Sequence, residues 1–160
     1  MRGQSGLPIR TFGTKLAFMT EARALIEALE LVPHPEGGWY RETWRADAPA
    51  GERAAATAIL FLLEEDQRSH WHKVDATELW LFHAGSALRL ETAASDEGPV
   101  HAARLGPDIL AGDRPQVRIA PGEWQSATAD RGWVLVSCIV SPGFEFAGFT
   151  LAPPDWSPGG

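Results

Sequence analysis

The sequence predicts an all-β domain, a jelly-roll or small barrel, with one short N-terminal α-helix. Three features carry that prediction. One segment alone has helical periodicity. The remainder falls into short β-favouring runs separated by Gly and Pro turns. No helix-like segment lies between those runs to support parallel crossovers.

The helix comes first. "TEARALIEALEL" places Ala22, Leu25, Ile26 and Leu29 on one face at i, i+3, i+4, i+7. Thr20 is the expected N-cap, Glu21 suits the positive end of the dipole, and Pro33 and Pro35 are expected to stop the helix. "GGWYRETWRA" then reads as a strand, followed by "AATAILFLLEE", "ATELWLFHAG" and "SALRLET". "PQVRIAPGEWQSAT" breaks at Pro121-Gly122, and "GWVLVSCIVSPGFEFAGFTLA" gives two strands around a Ser-Pro-Gly turn. Residues 93–115 read as surface loops around one short strand. The count is about eight strands. Residues 1–18 are expected to be a disordered extension, and 19–160 a single β-barrel domain.

Composition excludes several functions. The net charge of −7 opposes binding to a phosphate backbone, and the fourteen Lys and Arg residues are scattered, so no nucleic-acid partner is expected. No apolar run approaches the ~20 residues of a membrane span. The first eighteen residues lack a signal-peptide core, which makes a cytoplasmic location and no membrane partner the expectation. Cys138 is the only cysteine and lies in the apolar run "WVLVSCIV", so it reads as a small buried hydrophobe, not a reactive thiol. Ser126 and Ser137 have no nucleophile elbow around them.

The chemistry-bearing stretch is "SHWHKVDATELWLFHAG". Strand alternation puts His70 and His72 on one face, and Glu78, Trp80 and Phe82 on one face of the next strand. Two imidazoles and a carboxylate converging in a cavity could hold iron, manganese, zinc or nickel. Alternatively, His72 hydrogen-bonds within a polar barrel mouth and His70 is partly solvated. Glu78 in an aromatic-lined cavity is the strongest single candidate, because a buried carboxylate needs a partner or a raised pKa. His34 and Glu36 in "HPEGG" form either a conformational turn or a pocket rim, with Gly37 and Gly38 allowing unusual backbone angles. Tyr40, the only tyrosine, is either a general acid or a packing residue.

These residues resemble the cupin superfamily. Its first motif is HxH, then a glutamate, then a glycine after six residues; His70, His72, Glu78 and Gly85 match it. Its second motif resembles PxGxxH, for which this chain offers "APGEWQ", with Gln125 in place of the last histidine. "HPEGG", "SHWHKVDATELWLFHAG", "IAPGEWQSA" and "VSPGFEFAGFTLA" resemble, in order, the blocks of an uncharacterised cupin subfamily, which often carries a histidine where Leu81 stands. The resemblance implies a cupin double-stranded β-helix, a homodimer and a small-molecule pocket.

Three functions follow. The first is a small-molecule enzyme of the epimerase or isomerase kind, acting on a sugar, a sugar-nucleotide or another metabolite. His72, Glu78 and Tyr40 would be catalytic, with His34, Glu36, Trp80, Phe82, Trp124 and Gln125 lining the ligand. The second is a metal-dependent oxygenase or isomerase with His70, His72, Glu78 and Gln125 as ligands. The third is a ligand-binding module without catalysis.

Overall fold

A computed structural model describes residues 10–160. Helix α1 (Arg10–Ala28) precedes eleven strands. They are β1 (Val32–Pro33), β2 (Trp39–Arg45), β3 (Thr57–Leu63), β4 (Arg68–Val74), β5 (Thr77–Gly85), β6 (Leu88–Ala93), β7 (His101–Leu105), β8 (Gln116–Ile119), β9 (Trp124–Thr128), β10 (Val134–Ser141) and β11 (Phe149–Leu151). One sheet has the order β1-β2-β3-β10-β5-β8 and the other β11-β4-β9-β6-β7. Every strand pairing in both sheets is antiparallel. This is the expected all-β jelly roll, with more strands than were expected; the two-residue β1 is too short to carry a sequence pattern.

The helix departs from its expected ends. It begins at Arg10, so Thr20 lies within it and does not cap it. Residues 1–9 of the expected disordered extension lie outside the described residues. The helix also closes before the prolines. Glu30 takes the left-handed conformation at φ 55°, and the Glu30 and Leu31 amides donate to the Glu27 and Ile26 carbonyls at 3.1 and 2.9 Å. That is a Schellman closure, with Leu31 and Ile26 in the apolar contact that accompanies it. The predicted face, Ala22 and Ile26 with Leu25 and Leu29, packs on Leu62 and Trp133, outside the barrel.

Inside the barrel, β10 alternates, with Val134, Val136, Cys138 and Val140 turned inward. Phe61, Trp80, Leu88, Leu90, Leu105 and Ile119 fill the barrel around Val134 and Val136. The packing stops short of the end formed by Val140, Glu78 and His72, where a cavity remains. A second cluster, Trp71, Ala93, Trp124 and Ala152 with Trp156, lies elsewhere. The C-terminal segment is tied down there, since the Ala152 amide donates to the Trp71 carbonyl at 2.9 Å.

Candidate functional site

The cavity has a volume of about 510 Å³. Its walls include Val32, Ile59, Val74, Val140, Phe144 and Phe149, and its buried polar groups are Glu36, Thr57, His72 and Glu78. His34 and Tyr40 also line it, with their rings edge-to-face at 4.5 Å between centroids.

Glu36 arrives through the "HPEGG" turn. The His34 amide donates to the Gly38 carbonyl at 2.9 Å and the Gly37 amide to the His34 carbonyl at 3.0 Å. The His70 amide then donates to the Glu36 carbonyl at 2.7 Å, pinning the turn to β4. Gly37 has φ +106°, and a Cβ there would stand 2.1 Å from the Arg68 carbonyl oxygen. Glycine is required by both conformation and space. The turn is thus a device for inserting a carboxyl into the barrel, not only a rim.

His72 enters from β4, where pairing with β9 slips between Ser69 and His72. That irregularity breaks strict alternation, so Ser69 and His72 are both buried while His70 turns away. His70 Nε2 meets the Pro153 carbonyl at 2.8 Å and lies outside the cavity lining.

The hydrogen bonds around Glu36 fix the histidine tautomers. His72 Nδ1 lies 2.8 Å from the His70 carbonyl oxygen, which can only accept, so Nδ1 carries the proton. In neutral His72, Nε2 is therefore bare, and it faces Glu36 Oε2 at 3.2 Å. His34 Nδ1 accepts from the Glu36 amide at 3.2 Å, so it too is bare toward Glu36 Oε2, 3.5 Å away. Two acceptors face Glu36 Oε2, which resolves if that oxygen carries a proton. Burial pushes the Glu36 carboxyl up to about 7, while His34 and hydrogen-bonded Ser69 pull the other way. Burial also lowers both imidazoles, His72 and His34, keeping them neutral. A proton on Glu36 Oε2 is within donating distance of the bare His72 Nε2, at 3.2 Å.

Glu78 is buried, and burial raises its pKa, with Glu36 adding to the rise and His72 opposing it. Its two neutral donors are the Gln125 amide at 2.5 Å and the Cys138 thiol. Gln125 is fully buried, and its Oε1 accepts from Trp80 Nε1 at 2.7 Å. An indole nitrogen only donates, so this bond fixes the amide with its carbonyl toward Trp80 and its NH2 toward Glu78.

These positions sort the expected residues. His34, Glu36, Tyr40, His72 and Glu78 come together in the cavity. Trp80 and Phe82 share the face of Glu78, as alternation implies, but belong to the packed core and not the cavity. Trp124 lies outside the cavity lining, donating to Asp96 at 2.8 Å and stacked by Trp156 and Lys73. The proposed metal set does not fit: His70 faces a carbonyl, and the Gln125 oxygen is held by Trp80. Among the described residues, no group of three or more His, Cys, Asp or Glu side chains could hold a metal ion. Cys138 is a cavity residue that sequence reading assigned to packing alone; its parity with Val136 and Val140 was the available signal. Burial lifts its thiol well above the usual range, so it serves Glu78 as a neutral donor.

Fold and site together define a cupin jelly roll with an acidic, imidazole-bearing cavity at one end. The profile of the Cupin superfamily (DUF985) matches residues 23–152, and this chain belongs to that family. A structural-genomics protein from Shewanella oneidensis is 41% identical, with a TM-score of 0.77 over 82% of this chain and 84% of that one. A hypothetical protein from Leishmania major is 32% identical, with a TM-score of 0.74 over 82% and 86%. An oxalate decarboxylase from Bacillus subtilis matches at 14% identity and TM-score 0.57, over 75% of this chain and 29% of that one, which shows the shared fold alone. No curated protein matches. No helix among the described residues is long and apolar enough to cross a membrane.

Proposed function

We propose that the cavity binds a small metabolite and transfers a proton to and from it, as an epimerase or isomerase does. The supporting observation is the Glu36–His72 pair, a buried carboxyl at about 7 facing a bare imidazole nitrogen 3.2 Å away. General acid–base catalysis works best when the catalytic pKa lies near the working pH. Near neutrality both forms of the pair are populated. The ionised form takes a proton from a carbon next to a carbonyl, leaving an enolate, and the protonated form returns one. Tyr40, which also lines the cavity, donates to the carbonyl oxygen in this reading. Glu78, held by Gln125 and Cys138, orients the ligand.

The test is solvent exchange. The protein is incubated in D2O with reducing sugars, keto acids and amino ketones, and loss of C–H signals is followed by proton NMR. At least one compound exchanges, and His72→Ala and Glu36→Gln each slow it by roughly 10²–10⁴-fold. Binding with no exchange of any compound, or exchange unchanged in both variants, refutes proton transfer. The first of these results favours a binding module.

A further inference from the structure

We infer that the ligand carries a positive charge, an ammonium or guanidinium group seated against Glu78 beside Glu36, with its apolar body on Val74, Val140, Phe144 and Phe149. This rests on the reading of the cavity as the ligand site and assigns the chemical class that it takes.

The lining charges are unequal. Glu36 and Glu78 lie at the buried end, and Glu30, Glu42 and Glu145 stand toward the mouth. Among the described lining residues, the cations are Arg41 and Arg45. Each of them is already matched. Arg41 Nη1 meets Glu30 Oε2 at 3.4 Å. Arg45 holds Glu42 through two bonds of 2.9 and 2.8 Å and donates to the Phe144 carbonyl at 3.1 Å. A phosphate or carboxylate entering the cavity would meet two buried carboxyls and no uncommitted guanidinium. The diphosphate of a sugar-nucleotide is the least suited of the ligands expected from the sequence.

A cation meets the opposite situation. The donors to Glu78 are an amide and a thiol, and Glu36 has the Ser69 hydroxyl as its donor, with two neutral imidazoles facing it as acceptors. Carboxyls held only by neutral donors in an apolar cavity gain most from a positive partner, which the ligand can supply. The walls favour the same class. Phe144 and Phe149 pack at 5.9 Å between centroids, beside the His34–Tyr40 pair, and aromatic faces attract cations once these are desolvated. A net charge of −7 further favours the approach of cations over anions.

Three probes of similar size and different head charge test the assignment: phenethylamine, 2-phenylethanol and 3-phenylpropionate. Dissociation constants are measured by NMR titration of the full chain at pH 7.5, with amide shifts mapping the site. The amine should bind at least tenfold tighter than the alcohol, and the propionate more weakly than either. In Glu78→Gln the preference for the amine should fall below threefold while the alcohol keeps its affinity. If that variant does not fold, Glu36→Gln is measured and should also reduce the preference. Alcohol or propionate binding as tightly as the amine overturns the charge assignment and leaves the ligand site standing. An unchanged preference in the folded variant does the same. Failure of all three to shift cavity residues overturns the assignment together with the reading of the cavity as a ligand site.

Discussion

Replacing Glu36 with glutamine should change the pH dependence of stability in a calculable way. The amide keeps the carboxyl's shape: its oxygen can accept from Ser69 and its N–H can donate to bare His72 Nε2. What disappears is ionisation. In the folded protein the Glu36 carboxyl is raised from 4.5 to about 7. Below pH 4.5 it is protonated in folded and unfolded chains alike. Between 4.5 and 7 the unfolded chain has released its proton and the folded one has not, so wild-type stability falls as pH rises. Above 7 both have ionised and the loss is complete. At about 1.4 kcal/mol per pH unit, the full displacement is worth about 3 kcal/mol. Most of it falls between pH 5 and pH 8. His34 and His72, whose pKa values are lowered, act in the opposite direction below their ordinary value of 6.5. Burial dominates both, and losing the Glu36 charge lowers His34 further, which adds to the variant's gain as pH rises. Glu78 is raised partly by Glu36, so the substitution relieves it as well, in the same direction. Urea denaturation at pH 5, 6, 7 and 8 should therefore show Glu36→Gln gaining about 2 to 3 kcal/mol on wild type across the range. A stability difference that stays constant from pH 5 to pH 8 refutes the buried, raised carboxyl.

Two further substitutions probe the supports of the site. Gln125→Leu leaves the buried Trp80 N–H without its acceptor and Glu78 without its amide donor. At about 1–3 kcal/mol for each unsatisfied group, urea unfolding should show a loss of about 2–6 kcal/mol; a loss below 1 kcal/mol would mean that the amide is not committed as described. Gly37→Ala sets a Cβ 2.1 Å from the Arg68 carbonyl at a positive φ. It should cost more than about 2 kcal/mol and weaken binding of any cavity ligand by displacing Glu36, as calorimetry and titration can check; wild-type behaviour in both would remove the need for glycine there.

The fold was legible because antiparallel strands announce themselves locally. The β-favouring apolar run "WVLVSCIV" and the turns at Pro121-Gly122 and Ser-Pro-Gly are properties of adjacent residues. The face shared by Glu78, Trp80 and Phe82 was readable for the same reason. Their depth was not: where core packing ends and the cavity begins depends on Phe61, Leu90 and Val136 arriving from other strands. His70 and His72 looked equivalent because the strand slip between Ser69 and His72 comes from pairing with β9 and leaves no mark in "SHWH". Glu36 read as part of a turn or a pocket rim because its burial depends on the close approach of Gly37 to Arg68, 31 residues away in sequence. Gln125, read as a metal ligand in place of a histidine and as a ligand-lining residue, links Trp80 to Glu78.

The central claim is that the Glu36 carboxyl faces a bare His72 Nε2 within donating distance of its proton. Long-range nitrogen–proton correlation NMR on histidine-labelled protein reads it without any substrate. His72 should appear at pH 7.5 as the Nδ1–H tautomer, with Nε2 unprotonated and shifted by Glu36→Gln. It should also titrate below the ordinary 6.5, as its burial requires. An Nε2–H tautomer, or an imidazolium persisting at pH 7.5, would contradict the account.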